Sequence, residues 1–182
     1  LSQDVETDDN VFRQTTARLP WLIIGMLGGI GNSMILGNFD ATFAAHPEMA
    51  LYIPLIGGTG GNVGTQSSAL IVQGLANSSL DSKNTLKQVA KEAVVALINA
   101  TIISLLVYTY NFIRFGAMAT VTYSVSISLF AVVMFASIFG TLVPMTLERL
   151  KIDPAIATGP FIAITNDIIG MMLYMGITVL LS

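Results

Sequence analysis

One acidic residue stands alone in the last apolar stretch of the chain. Asp167 lies within residues 154–182, which hold no other charged side chain. An acid at the centre of a membrane-spanning helix costs about 2.5–3.5 kcal/mol on insertion scales, and such residues normally face a cavity or another helix. No lysine or arginine lies in an apolar stretch to pair with it, so a proton or a bound cation must supply the compensating charge. Asp167 could instead be protonated and hydrogen-bonded to a neighbouring helix, with a purely structural role. We favour a functional role, because acids within membrane-spanning segments normally mark functional sites.

Small residues flank Asp167 on the same helical face. Ala163 precedes it by four residues and Gly170 follows it by three, which places all three on one side of a helix. Small side chains let a ligand or another helix come close to the backbone. This spacing therefore fits an approach path for a cation, and plain helix packing explains Gly170 equally well.

A glycine-rich polar segment interrupts the second apolar stretch. Residues 57–64 contain five glycines, and Asn62, Thr65 and Gln66 lie among or beside them. The Gly-x-x-x-Gly spacing also suits close packing of helices, but packing does not require Asn62 and Gln66. Glycine-exposed backbone is tolerated at membrane depth where it lines a cavity. Its carbonyls, with the amide and hydroxyl side chains, are oxygen ligands of the kind that hard cations prefer.

The available ligands predict a hard cation. The chain has no cysteine and a single histidine, which excludes thiolate sites and His-rich metal sites within one chain. Carboxylate, amide and carbonyl oxygens suit Mg²⁺ or Ca²⁺. One carboxylate cannot dehydrate Mg²⁺, which commonly keeps several waters around one or two carboxylates. A symmetric dimer would bring two copies of Asp167 to one axis and balance a divalent charge.

Membrane-spanning helices must position these residues. The chain is 53% hydrophobic and 10% charged, well below the charged fraction of a soluble domain. Its 8 Lys+Arg and net charge of −3 exclude a basic nucleic-acid-binding surface. The charges divide the chain into five apolar stretches, each long enough for a span of about 20 residues. We predict an all-α membrane protein with five transmembrane helices, at about 19–39, 49–76, 89–113, 117–147 and 154–181.

The basic residues predict the orientation of these spans. With the N-terminus inside, the inner segments hold 7 of the 8 basic residues and the outer segments hold only Arg114. Basic residues accumulate in cytoplasmic loops. We therefore expect residues 1–18 to be a cytoplasmic segment and the C-terminus to lie on the opposite side, with the second and fifth spans lining a cation pathway.

Three prolines mark the ends or bends of the predicted helices. Pro20, followed by Trp21, is expected in the first turn of the first span. Pro144 and Pro160 fall inside the predicted fourth and fifth spans. A proline within a helix removes a backbone hydrogen bond, so we expect both to kink their helices.

Three segments of the chain resemble the MgtE family of magnesium channels and transporters. The family's pattern Pro-x6-Gly-Asn-x-Gly-x-Gln is present as Pro54, Gly61, Asn62, Gly64 and Gln66. The segment DPAIATGPFIAITND, from Asp153 to Asp167, is similar to the family's last span. Arg18-Leu-Pro-Trp21 resembles the entry into its first span. The resemblance extends over essentially the whole chain.

The resemblance implies a five-span, homodimeric pore domain in a bacterial inner membrane, with a periplasmic C-terminus. It implies that Asp167 binds hydrated Mg²⁺, the transported ion, on the dimer axis. The backbone near Ala163 and the second-span motif would recognise the hydration shell, and Asp153 would be a secondary contact near the cytoplasmic mouth. The predicted metal-site residues are Asp167, Ala163, Asn62, Gly61, Thr65, Gln66, Gly58 and Asp153. Cytoplasmic N-terminal and CBS sensor domains would be missing here, and residues 1–18 would end the connecting plug helix.

Other functions compete with a magnesium channel. A transporter of Mn²⁺, Co²⁺ or Ca²⁺, or a proton-coupled exchanger, would use the same Asp167, and the exchanger predicts flux that follows pH. An intramembrane hydrolase needs a second acid, a Ser/His pair or a zinc helix. The only histidine, His46, falls in a predicted outer loop, so no enzymatic activity is expected. A structural subunit predicts that replacing Asp167 leaves transport unchanged.

Overall fold

The computed structural model describes residues 9–80, 84–155 and 159–182, and within these ranges the chain is helical with no strand. The prediction of an all-α protein is therefore confirmed. The helices in chain order are α1 (Val11–Gly37), α2 (Asp40–Ala45), α3 (Ile53–Ala76), α4 (Thr85–Phe115), α5 (Thr120–Arg149) and α6 (Pro160–Leu181), with a 3-10 helix over Pro47–Tyr52 before α3. Residues 1–8 of the predicted cytoplasmic segment lie outside the described residues, as does Lys83.

Five of these helices are long enough to cross a membrane. The shortest, α6, has 22 residues and extends about 33 Å at 1.5 Å per residue, against a hydrocarbon core of about 30 Å. In the described part of the chain, four helices are also apolar enough to be candidate spans, namely α1, α4, α5 and α6. α3 is not among them, and it is the helix that contains the glycine-rich polar segment. The predicted second span, and with it the count of five, thus stays a prediction.

The first long helix begins at Val11, before the predicted span at residue 19. Asn10 caps it, because its side-chain oxygen accepts a hydrogen bond from the Arg13 amide at 2.8 Å. Pro20 consequently lies inside α1 and not in its first turn, which corrects the expected start. Because proline has no N–H, its position in α1 lacks one backbone hydrogen bond, and the helix continues past it to Gly37.

The last helix begins later than predicted, at Pro160 and not at residue 154. Gly159, in extended backbone, precedes it, and Pro160 occupies the first turn, where the missing N–H has no helical partner to lose. The expected kink at Pro160 is therefore wrong, since this proline starts the helix. Pro144, in contrast, does lie inside α5 and is buried there.

α5 is the central helix of the bundle. It contacts α3, α4 and α6 and buries a run of small residues along its length, among them Ser128, Ala136 and Gly140. Gly140 lies so near α3 that a Cβ would stand 2.5 Å from the Gly64 carbonyl oxygen. Helices in lipid associate through such small residues because burial of apolar surface gives them no advantage over lipid contact. Part of the glycine-rich segment therefore serves helix packing.

A carboxylate ties three helices together on the far side of α3. Glu92 of α4 accepts hydrogen bonds from Ser67 of α3, at 2.7 Å, and from Ser137 of α5. The two serine hydroxyls are also 3.1 Å apart. Glu92 lies within the predicted third span, 89–113, and was assigned no role there. The structure makes it a satisfied polar contact between helices.

Two tyrosines hold the turn that leads into α3. The Tyr174 hydroxyl donates to the Met49 carbonyl at 2.7 Å, and the Tyr52 hydroxyl donates to the Asn111 side chain. All four residues are buried. These bonds attach the short 3-10 helix to α4 and α6, and so fix where α3 begins.

Replacing Gly140 by alanine tests the contact between α5 and α3. We expect Gly140→Ala to lower the unfolding free energy by about 1–3 kcal/mol, the usual effect of overpacking, because its Cβ would meet backbone and not a side chain that can turn away. Thermal unfolding of the purified protein in detergent measures the change. Gly176→Ala is the matched control, since no heavy atom lies within 4 Å of that Cβ. Equal melting temperatures for the two variants would contradict the close contact.

Candidate cation site

A cavity of about 400 Å³ lies between α1, α3 and α6. Its described lining comes mostly from α3 and α6, with one residue from α1: Asn32, Ile53, Pro54, Gly57, Gly58, Gly61, Asn62, Thr65, Ala163, Asp167 and Met171. Pro54, Gly58 and Asn62 are exposed, so the cavity opens to one side of the bundle. It brings together six of the eight predicted site residues.

The Asp167 carboxylate lies against the glycines of α3. A Cβ on Gly61 would stand 3.3 Å from Asp167 Oδ1, and a Cβ on Gly57 would stand 3.6 Å from the same atom. Glycine at both positions therefore gives the carboxylate room beside the helix. The residue is half-buried, and Ala163 lines the cavity one turn before it. Gly170 does not line the cavity, although its spacing from Asp167 had also fitted an approach path. It packs against Val132 of α5, which is the packing alternative.

The α3 wall of the cavity is regular helix. α3 is continuous from Ile53 to Ala76, so the carbonyls of the glycine-rich segment accept the helix's own amide hydrogens. The Gly61 carbonyl also accepts a hydrogen bond from the Thr65 hydroxyl at 2.8 Å. The oxygen atoms that remain for a ligand on this wall belong to side chains, those of Asn62 and Thr65. Gly58 and Gly61 contribute space.

Two predicted site residues lie off the cavity. Gln66 is exposed on α3, one residue beyond Thr65 and therefore turned about 100° around the helix. Asp153 is exposed in the loop after α5, where its Oδ1 accepts a hydrogen bond from the Ala155 amide at 2.9 Å. Neither residue lines the cavity that contains Asp167.

Asn32 is a site residue that the sequence analysis missed. It enters the cavity from α1, a helix that had been assigned no functional side chain. A signal was present, because Asn32 is an amide within an apolar stretch and follows Gly28 by one helical turn. Gly28 lies against α6, where its Cβ would stand 2.3 Å from Ile164 Cγ2. Gly57 and Met171 also line the cavity and were not predicted. Neither has a side-chain oxygen that could act as a ligand.

The site has one charged group and no cationic side chain. Among the described residues, the ion pairs are Arg13–Asp9 and His46–Glu48, and neither touches Asp167. No hydrogen-bond donor within the described ranges reaches the Asp167 carboxylate. The same ranges contain no group of three His, Cys, Asp or Glu residues able to hold a metal ion. The arrangement thus offers hydrogen-bond acceptors to a cation that keeps its water shell, and not a cage of direct ligands.

The sequence is similar to those of known cation transporters. The family model for MgtE, described as a divalent cation transporter, matches residues 53–177. The magnesium transporter MgtE of Bacillus subtilis is 31% identical over 175 residues, which are 96% of this chain and 39% of that protein. The Thermus thermophilus protein of the same name is 34% identical over 91% of this chain and 36% of its own length. That of Enterococcus faecalis is 28% identical over 94% of this chain. The chain therefore spans less than two fifths of these relatives.

A methyl group on Gly61 tests whether the carboxylate needs the glycine beside it. We expect Gly61→Ala to weaken Mg²⁺ binding about fivefold, the loss of roughly one hydrogen bond, because the new Cβ lies 3.3 Å from Oδ1 and displaces or covers it. Isothermal titration of the purified protein with Mg²⁺ gives the affinity. Gly176→Ala, which adds the same methyl group in open space on α6, is expected to bind as wild type does. Unchanged affinity in a folded Gly61→Ala protein would count against the site.

Proposed function

The chain belongs to the MgtE family of divalent cation transporters, and we propose that it forms the membrane pore of a magnesium channel. The observation that carries the proposal is the Asp167 carboxylate, which has no donor among the described residues and lines a cavity between α3 and α6. An intramembrane acid of this kind marks an ion pathway. The magnesium transporters among its relatives support Mg²⁺ as the transported ion.

In this proposal the ion binds with its water shell. Mg²⁺ takes octahedral coordination and loses water reluctantly. Six waters at about 30 Å³ each occupy about 180 Å³, and the cavity of about 400 Å³ has room for them. Asp167 then accepts hydrogen bonds from the waters and supplies the charge, while Asn62 and Thr65 contact the shell from α3. Gly58, Gly61 and Ala163 keep the path wide.

A homodimer completes the proposed pore. One carboxylate balances only half the charge of Mg²⁺, and the cavity opens to one side of the bundle, where Pro54, Gly58 and Asn62 are exposed. A second copy related by a two-fold axis would place another Asp167 across that opening. α3 would then be the fifth membrane-crossing helix, with its glycine-rich face shielded from lipid by protein and water. Gln66 and Asp153, which do not line the cavity, have no part in recognition of the shell at Asp167 in this proposal.

The proposed driving force is the membrane potential of a bacterial inner membrane. With the N-terminus inside and the inside negative, the free energy of a divalent cation falls by about 4.6 kcal/mol when it moves inward across 100 mV, twice the value for a single charge. No chemical step and no second ion is required. Conduction therefore runs down the electrochemical gradient of Mg²⁺.

Replacing the carboxylate tests the proposed pore directly. We expect Asp167→Ala to lower Mg²⁺ flux into proteoliposomes about tenfold or more at fixed potential, because hydrogen bonds to a charged group contribute about 1.5–3 kcal/mol each. Asp40→Ala is the matched control, since Asp40 is exposed in α2 and does not line the cavity. Equal flux in wild type and Asp167→Ala would move the cation site away from Asp167 and would overturn the proposed recognition of the ion there.

A pH gradient separates the channel from a proton-coupled exchanger. We expect Mg²⁺ flux at a fixed potential to be unchanged when an inward or outward pH gradient is imposed, because conduction of a hydrated cation moves no proton. Flux is measured with a fluorescent Mg²⁺ indicator inside the vesicles. Flux that reverses with the pH gradient at zero potential would favour the exchanger. Parallel runs with Mn²⁺, Co²⁺ and Ca²⁺ in place of Mg²⁺ identify which divalent cation the pore prefers.

A further inference from the structure

Asn32 carries an unused hydrogen-bond acceptor on the wall of the cation cavity. Its Oδ1 has no hydrogen-bond partner among the described residues and almost no water-accessible surface, so the amide turns about its last side-chain bond to present this oxygen to the cavity that Asn32 lines. Buried polar atoms in native proteins are almost always paired, and an exception calls for a ligand or a water. The residue lines the main cavity and also a smaller recess of about 80 Å³, and Asp167 lines both. Asn32 and Asp167 therefore share two adjoining spaces.

The contact between α1 and α6 explains why Asn32 lies there. Gly28 approaches Ile164 so closely that a Cβ would stand 2.3 Å from its Cγ2. Asn32 follows Gly28 by one turn and so shares its helical face. Ile164 precedes Asp167 by three residues, which places these two on neighbouring positions of α6. The close approach of α1 to α6 thus places the amide and the carboxylate on the walls of the same two spaces.

The amide has the chemistry that a hydrated cation requires. Waters bound to a metal ion point their hydrogens outward, so the shell offers donors and needs acceptors. Asp167 supplies a charged acceptor, and Thr65 has its hydroxyl hydrogen committed to the Gly61 carbonyl, which leaves its oxygen free to accept. A side-chain carbonyl on α1 adds an acceptor from a third helix.

We propose that Asn32 accepts a hydrogen bond from the water shell of the bound cation and is a specificity-determining residue of the site. This rests on the proposed function, since it deepens the recognition of a hydrated Mg²⁺ at Asp167. Acceptors on three helices surround the shell and favour cations that keep their waters over cations that shed them. Asn32 makes no direct bond to the metal in this arrangement.

Hexaamminecobalt(III) is the probe that isolates recognition of the shell. Its ammine ligands do not exchange during a titration, and they present only N–H donors, so any binding comes from outer-shell acceptors. We expect it to bind wild-type protein, measured by isothermal titration in detergent, and to bind Asn32→Leu about fivefold more weakly, the loss of one ordinary hydrogen bond. Asn32→Asp, which keeps the shape and the acceptor oxygens, is expected to bind at least as tightly as wild type. Asn99→Leu, at an exposed position of α4 outside the cavity, is expected to show no change.

Three results would overturn the inference. The first is no binding of the probe to wild-type protein, and the second is equal affinity in wild type and Asn32→Leu. The third is a loss of affinity in Asn32→Asp as large as that in Asn32→Leu, which would mean that Asn32 only supports packing. If Asn32→Leu does not fold, Asn32→Ala replaces it with the same expected weakening. The titration does not depend on conduction. Absence of Mg²⁺ flux with intact Asn32-dependent binding would therefore reject the channel and keep the site.

Discussion

The structure depends on how closely α3 can approach its neighbours. In lipid, helices associate through van der Waals packing and polar contacts, because burial of apolar surface gives no advantage over contact with lipid tails. Gly64 lets α3 lie against Gly140 of α5 and Asn166 of α6, at distances where a Cβ would overlap its neighbour. The same helix turns Gly57 and Gly61 towards Asp167. One glycine-rich segment therefore both packs the bundle and leaves room for the carboxylate.

Two half-buried carboxylates, Glu92 and Asp167, have different surroundings. Glu92 accepts hydrogen bonds at Oε1 from two serine hydroxyls on other helices, so this oxygen is satisfied within the protein. Asp167 has no such donor among the described residues and faces an open cavity. A buried or half-buried charge without a partner is costly, and such an acid persists where a ligand compensates it. The free lone pairs of Asp167 are the reason it is the candidate for cation recognition.

In the proposed site, one acid per chain is enough for recognition of a cation through its water shell. Direct coordination of a divalent ion takes six or more oxygen ligands, which the described residues do not assemble. Recognition through the water shell needs only acceptors at the right distance around it. The side-chain oxygens of Asn62 and Thr65, the Asn32 amide and the Asp167 carboxylate come from three helices that enclose one space. Helix packing thus sets the geometry of the site, because no single helix holds enough acceptors.

The helical class, the isolated acid at Asp167 and the polar glycine-rich stretch could be predicted from the sequence alone, because charge, glycine content and apolar length are local properties of the chain. Which side chains meet depends instead on how the helices pack. Gln66 is adjacent to Thr65 in sequence yet lies off the cavity, while Asn32, more than a hundred residues from Asp167, lines it. Each residue turns about 100° around a helix, so a helix's rotation decides which of its polar groups face the site. Contacts between helices set that rotation, such as those of Gly28 with Ile164 and of Gly64 with Gly140. These contacts join residues far apart in the sequence, so no local sequence pattern specifies them.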